Sequence, residues 1–189
     1  YGLIAEWAEA EGIGHVALGH TLNDVAETFL MRLSREAGVD GLSAMAASWR
    51  QGAVEFRRPL LKVSRAELRA LVTGHGLSWI DDPSNACNDA DRNFLRNEVM
   101  PGLRRRWPGV SRCLARSAAH CADAAAMSAA RADAELARHA DDDVLRLPLA
   151  LLCGREDGLA PTLLRRWLQR QQLPPMPATR IDEALRQLC

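Results

Sequence analysis

The chain has little with which to build a disulfide scaffold, a zinc site or a membrane anchor. Its five cysteines, Cys87, Cys113, Cys121, Cys153 and Cys189, include no C-x-x-C pair and are odd in number. That pattern disfavours a disulfide framework and a structural zinc site, and it points to a reduced, cytoplasmic setting. No apolar run approaches the roughly 18 residues that a membrane span needs, and nothing resembles a signal peptide. Lysine is almost missing: Lys62 is the one lysine among 24 basic residues, a compositional bias given no functional weight. Net charge is missing too, since 24 acidic residues match the 24 basic ones, so total charge selects no polyanionic partner. The length of 189 residues suits one large domain, or one domain with a helical appendage. A start at Tyr1 and a stop at Cys189 inside a helix-like pattern lead to the expectation of a fragment.

What is present is unevenly placed. Residues 1–45 carry seven acids and two arginines, whereas residues 92–116 carry seven arginines and only Glu98. A polyanion is therefore expected to meet the second segment.

Apolar spacing predicts a helix over Tyr1–Glu11, closed by Gly12 and Gly14, then a short buried strand at Val16–Leu18 and a second helix over Leu22–Leu33. Helix, strand, helix is the rhythm of a parallel α/β sheet. Gly38 and Gly41 mark a loop, Val54–Arg57 alternates like a strand before Pro59, and Ser64 with Glu67 forms a capping-box signal for a helix to about His75. Asp81–Asp91 is dense in Asp, Asn, Ser and Pro and reads as a long functional loop. Beyond it the pattern is helical over Asn93–Met100, Pro101–Trp107 and Val110–His139, with a domain boundary expected near Pro108. Further on, Val144–Leu147 suits a short strand, Pro161–Gln171 a helix, and Thr179 with Asp182 a second capping-box start after a linker at Leu173–Pro177.

Two constellations carry chemistry. Gly19–Thr28 lies where a strand ends and a helix begins, the place where open parallel sheets hold ligands. Asp24 and Glu27 stand three apart on one side of the first helical turn, suited to a magnesium ion shared with nucleotide phosphates. The plain alternative is that both only complement the positive helix end. His20 is equally open between a structural and a catalytic reading. In the second constellation, Trp79–Asn85 followed by Asp91–Arg96, Arg92 and Arg96 stand four apart at a helix start. They suit either a bidentate phosphate clamp or a solvated face. Arg104, Arg105, Arg106, Arg112 and Arg116 extend the positive strip, which is either surface or a track for a nucleic-acid backbone.

Five ordered elements, G-H-T-L-N-D-V-A-E-T from Gly19, Arg35-x-x-Gly38-x-x-Gly41-Leu42, Arg58-Pro59-Leu60-Leu61, W-x-x-D-P-S-N from Trp79 and R-N-x-x-R-x-x-x-x-P ending at Pro101, resemble the tRNA(Ile)-lysidine synthetases. The match covers about the first hundred residues. It implies an α/β fold: a PP-loop (adenine nucleotide α-hydrolase-like) parallel-sheet domain over residues 1–108, followed by a mostly helical, tRNA-contacting part over 109–189. It also implies an ATP- and Mg2+-dependent ligase that adenylates the wobble cytidine of a CAU-anticodon isoleucine tRNA and joins free lysine to it. The same resemblance places the active site at His20, Asp24, Glu27, Arg92 and Arg96. Metal then falls to Asp24 and Glu27 and nucleotide to Arg92 and Arg96, while the concentration of positive charge over residues 92–116 makes Arg104, Arg105, Arg106 and Arg112 the candidates for tRNA-backbone contact. A homodimer is compatible with it. The sequence departs from the family at Asn23, where Asp is common, and at Glu36–Ala37, where Gly-Ser is usual. The family's S-G-G-x-D-S loop is absent and is expected upstream of Tyr1, so the chain alone is expected to be inactive. Another PP-loop tRNA modifier, or a non-catalytic tRNA-binding remnant, are the competing readings.

Overall fold

The structure, a computed structural model, describes residues 1–139, 146–174 and 176–189. These residues form two compact units, one comprising residues 1–36 and 41–120, the other residues 37–40 and 121–189.

The first unit is built on a three-stranded sheet. Helix α1 (Gly2–Ala10) leads into β1 (His15–Ala17), and α2 (Leu22–Leu33) and the single turn α3 (Val39–Leu42) precede β2 (Ser48–Gln51) and β3 (Val54–Arg57). The strand order is β1-β3-β2. β1 runs parallel to β3, with Val16 opposite Phe56, and β2 runs antiparallel to it, with Trp49 opposite Phe56. The sheet is therefore mixed, where a parallel one was expected, because β2 and β3 form a hairpin that the mostly polar run Ser48–Gln51 did not announce. Gly52 makes its turn possible: it sits at φ +60°, and the Glu9 carboxylate occupies the space a side chain would take, accepting from the Ala53 amide at 2.7 Å. Ala5 and Ala8 of α1 pack on Val54 and Phe56, with Val16, Leu18 and Trp49 around them. The Trp49 ring stacks on Phe56 at 4.9 Å between centroids. β1 was expected to be buried, yet His15 and Ala17 are exposed. It lies at an edge of this sheet and is paired only with β3.

Helix α4 (Arg65–Gly74) starts where the capping box predicted it: the Ser64 hydroxyl accepts from the Glu67 amide, and the Ser64 amide donates to the Glu67 carboxylate at 2.7 Å. After the polar loop, the chain coils through α5 (Asp91–Phe94), a wide π turn (Leu95–Val99) and α6 (Met100–Arg106) before the 29-residue α7 (Val110–Arg138). Single π turns inside helical runs concentrate at functional sites, and this one carries Arg96. Within the first unit the buried face of α2, with Leu22, Val25, Ala26 and Phe29, gives the α5–α6 run a fixed neighbour.

The second unit holds α8 (Ala160–Arg170) and α9 (Ala178–Leu188) against the later part of α7 around Ala132, Leu136, Leu152, Leu159, Leu163, Leu164 and Ile181. Cys153 and Cys189 are joined by a disulfide, with Cα atoms 5.3 Å apart. This corrects the reading of five unpaired thiols: the partners lie 36 residues apart, and such connectivity is not readable from spacing. α9 begins one residue before Thr179, after Pro177, so Thr179 lies inside the helix and caps nothing. The expected strand at Val144–Leu147 falls partly outside the described residues, and Arg146 and Leu147 are not in a strand.

Candidate functional site

The first turn of α2 brings two carboxylates under cover. Thr21 donates both its amide (2.8 Å) and its hydroxyl (2.7 Å) to Asp24 Oδ2, fixing that carboxylate over the helix start. One turn on, Glu27 is wholly buried. A buried carboxylate needs partners that compensate its lost hydration, and here they are arginines from two other parts of the chain.

Arg65, the first residue of α4, spans both acids: Nη2 donates to Asp24 Oδ1 at 2.6 Å and Nη1 to Glu27 Oε1 at 2.9 Å. Arg96, in the π turn, forks onto Glu27 through Nε (3.2 Å) and Nη2 (3.1 Å), while its Nη1 donates to Asn85 Oδ1 at 3.1 Å. Arg92 donates to the Thr28 hydroxyl at 3.0 Å and stands 3.9 Å from Asp24 Oδ1. Three guanidinium groups thus surround two carboxylates, leaving one positive charge in excess. Asn23 has a place in this frame, for its Oδ1 accepts from the Arg65 amide at 2.9 Å, and the Leu22 amide donates to Val63 O, so the starts of α2 and α4 are tied together. The loop expected to be functional is docked as well: Asn93 donates to Ser84 O and Cys87 O, and Asn97 to Asn85 O.

His20 lies beside this cluster. Arg58 Nε donates to its Nδ1 at 3.3 Å, and the Arg58 guanidinium itself lies 4.2 Å above the Trp49 ring. Burial first, then the positive Arg58, lower the His20 pKa below its ordinary value, against an opposing pull from Asp24. The ring is therefore neutral at neutral pH, and with Nδ1 accepting, its proton sits on Nε2. Burial acts to raise the Asp24 pKa, but the Thr21 hydrogen bonds and Arg65 outweigh it, and its carboxyl is held below the usual range.

Of the residues expected from sequence, Asp24, Glu27, Arg92 and Arg96 converge, with His20 next to them. Both carboxylates accept from Thr21, Arg65 and Arg96 through all four oxygens. So arranged they do not fit the open oxygen set that magnesium requires. Arg65 was missed. Its signal was available: a cation at the first position of a helix opposes the positive helix end, and such local conflicts concentrate at functional sites. The arginine strip divides: Arg104 is half-buried, Arg105 and Arg106 are exposed, Arg106 lying 5.7 Å from the Trp107 ring, and the exposed Arg112 pairs with Glu67 at 2.8 Å.

A family profile described as a PP-loop domain matches residues 1–103. The chain is 39% identical over 186 residues to the tRNA(Ile)-lysidine synthase of Haemophilus ducreyi, covering 98% of this chain and 43% of that protein. It is 39% identical over 183 residues to the tRNA(Ile)-lysidine synthase of Xanthomonas campestris pv. campestris, covering 92% and 40%. To the tRNA(Ile)-lysidine synthase of Coxiella burnetii it is 44% identical over 150 residues, covering 79% and 33%. The chain thus spans less than half the length of these relatives.

Proposed function

The chain belongs to the PP-loop family, and from that premise we propose that it works within an ATP-dependent tRNA(Ile)-lysidine synthase. The enzyme joins free lysine to the wobble cytidine of the isoleucine tRNA with a CAU anticodon. The cytidine C2 oxygen attacks the α-phosphorus of ATP and pyrophosphate leaves. The lysine amine then bonds to C2, loses a proton, and AMP departs with the C2 oxygen. The observation that supports this reading best is the convergence of Asp24, Glu27, Arg92 and Arg96, because the two stretches most like the lysidine synthetases supply one connected cluster.

Both steps place negative charge on phosphate oxygens, so cations held in fixed positions lower the barrier more than mobile surface ones. In this proposal Asp24 and Glu27 hold Arg65 and Arg96 in place, and Arg92 and Arg96 meet the nucleotide. His20, with its proton on Nε2, serves as a neutral hydrogen-bond donor and not as a free base. Arg104, Arg105, Arg106 and Arg112 contact the tRNA backbone, which positions RNA without reading its bases. No helix among the described residues is long and apolar enough to cross a membrane; a cytoplasmic site of action is part of the proposal.

The test is incorporation of labelled lysine into a CAU-anticodon isoleucine tRNA transcript by a full-length protein carrying this chain. Arg96→Ala should lower the rate at saturating ATP by about tenfold or more, the value of a lost charge-assisted bond. An unchanged rate with weaker tRNA binding would move Arg96 to RNA contact. Absence of lysine incorporation by the unaltered protein would sink the ligase reading.

A further inference from the structure

Beside the carboxylate cluster, and within the first unit, lies a cavity of about 430 Å³ whose lining includes Asn23, Arg65, Arg96, Arg104, Ser111 and Arg112. Four of its eleven lining residues are arginines, and two helices begin on its wall: α4 at Ser64–Ala66 and α7 at Gly109–Ser111. The start of α4 is already capped, its Ser64, Arg65 and Glu67 amides donating to Glu67, Asn23 and Ser64, so the helix start open to a ligand is that of α7.

The charge balance inside the cavity is not closed by the protein. Asp24 and Glu27 engage Arg65 and Arg96, and Glu67 engages Arg112 on the exposed rim. Arg104, half-buried, makes no ion pair among the described residues. Ser111 adds an independent sign. It is nine-tenths buried and lines the cavity, and its hydroxyl, which keeps contact with solvent there, makes no hydrogen bond among the described residues. A concave site with an unpaired guanidinium, a serine hydroxyl free to donate and the start of α7 is complementary to a tetrahedral oxyanion.

We propose that this cavity binds a phosphate group, of the kind carried by an RNA backbone phosphodiester or by free pyrophosphate. The proposal deepens the reading above in which Arg104 and Arg112 meet tRNA phosphates, and does not depend on the ligation chemistry. It separates the arginine strip by function: Arg104 and Arg112 serve a defined phosphate pocket, whereas Arg105 and Arg106 meet solvent or diffuse charge. Arg65 and Arg96 lie between pocket and carboxylates, so an occupied pocket would draw on guanidinium groups that also hold Glu27.

The experiment uses the 189-residue chain with two probes, pyrophosphate by calorimetry and an anticodon stem-loop RNA by fluorescence anisotropy over a salt series. Arg104→Ala and Ser111→Ala are the variants, Arg105→Ala and Arg106→Ala the comparison outside the pocket, expected to leave pyrophosphate binding unchanged, and Arg104→Lys a conservative replacement. Arg104 has no ion pair to lose and Ser111→Ala leaves no void, so all should keep the wild-type melting profile by circular dichroism. If free pyrophosphate is the ligand, its affinity falls about tenfold or more in Arg104→Ala and by a smaller factor in Ser111→Ala, with partial recovery in Arg104→Lys. If the ligand is RNA backbone, the same two variants weaken the stem-loop, and Arg104→Ala flattens its log-affinity against log-salt slope by up to about one unit. Equal effects of Arg104→Ala and Arg105→Ala on both probes, or no effect of Ser111→Ala on either, would overturn the proposal.

Discussion

Arginine–carboxylate pairs recur in both units, yet they stand in opposite relations to water. In the first unit Glu27 is fully buried and Asp24 is one-tenth exposed at its side chain. In the second unit Asp133 takes Arg166 and Arg170, and Asp157 takes Arg131 and Arg155, with side chains of the two acids 31% and 27% exposed. The second unit's core around Leu163 and Ile181 is apolar apart from the buried indole N–H of Trp167 packed against it, and the ion pairs named here are not made by its residues. Exposed pairs of this kind are worth about 0–1 kcal/mol. A buried pair stabilises little against an apolar alternative, but removing one partner is strongly destabilising. A buried ionic cluster contributes little stability over apolar packing, and the proposed function places its chemistry in the first unit.

The largest effect expected from this contrast is at Glu27. Glu27→Ala leaves Arg65 and Arg96 without their shared acceptor. It should cost about 3 kcal/mol, near the low end for broken buried pairs because both arginines keep some contact with water. Asp133→Ala in the second unit should cost less than about 1 kcal/mol. Urea unfolding followed by circular dichroism measures both, and comparable losses at the two positions would erase the distinction between the units.

Next in size is the coupling between the two arginines that share Glu27. Neighbours in one network deviate from additivity by about 0.5–3 kcal/mol. Arg65→Ala and Arg96→Ala together should therefore not sum to the effects of the single changes. Either arginine alone still neutralises Glu27, so the second loss is the costly one. Arg131→Ala and Arg166→Ala, on separate acids of the second unit, should add. A double-mutant cycle in urea reads this directly, and additivity at Arg65 and Arg96 would mean that the two arginines act independently and are not coupled through Glu27.

How much of this was legible in the sequence follows from the kind of signal each residue carries. Asp24 and Glu27 announce themselves through i, i+3 spacing at a strand-to-helix junction, and Arg92 and Arg96 through i, i+4 spacing after a polar loop. Both are local patterns. Their meeting is not local: it depends on the antiparallel hairpin that sets β3 beside β1, and on a π turn that shifts the helical phase at Arg96. Arg65 was hidden because the box of Ser64 and Glu67 around it explains the helix start without it. β2 was hidden because Trp49 is the one apolar residue of Ser48–Gln51 and the other three are exposed, so no alternation of buried side chains marks it. The disulfide was hidden because two cysteines 36 residues apart have no sequence pattern at all.

Acid sharpens the comparison further. The carboxyls of Asp24 and of Asp157 are both held below their ordinary value of 3.8. For Asp24 burial opposes the lowering and the Thr21 hydrogen bonds and Arg65 prevail; for Asp157 the Arg155 hydrogen bond leads, joined by the Leu159 amide. A folded pKa below the unfolded one means stability that is fully present above 3.8 and lost as pH falls through the folded value. The two contributions should part company in salt. At about 1 M salt the screening length is about 3 Å, which weakens the exposed Asp157 pairs and leaves the buried Asp24 hydrogen bonds largely intact. Asp157→Asn should then flatten the acid limb of the stability curve only at low salt, and Asp24→Asn at both salt concentrations. Equal salt sensitivity would place Asp24 with the surface acids.

The smallest effect comes from a charge that neither unit uses. Glu36 follows the end of α2 at φ +54° and is exposed. It makes no ion pair among the described residues, and its amide donates to Leu33 O at 3.2 Å as the helix closes. A left-handed backbone costs a residue with a Cβ about 1–2 kcal/mol, and this is the position where the resemblance to lysidine synthetases places glycine. Glu36→Gly relieves that strain but enlarges the unfolded ensemble, at a cost of about 0.4–1 kcal/mol. The net expectation is a stabilisation of about 0.5–1 kcal/mol, the difference of those two terms. Glu36→Gln removes the charge and keeps the backbone, so it should leave stability unchanged within about 0.5 kcal/mol, as expected for a surface substitution. The urea midpoint at constant m-value separates the two. A higher midpoint for the glycine variant alone assigns the residue's cost to its backbone. A shift of the same size in Glu36→Gln would show that an exposed, unpaired carboxylate matters here, and the rule that only buried charge counts in this chain would fail at its simplest case.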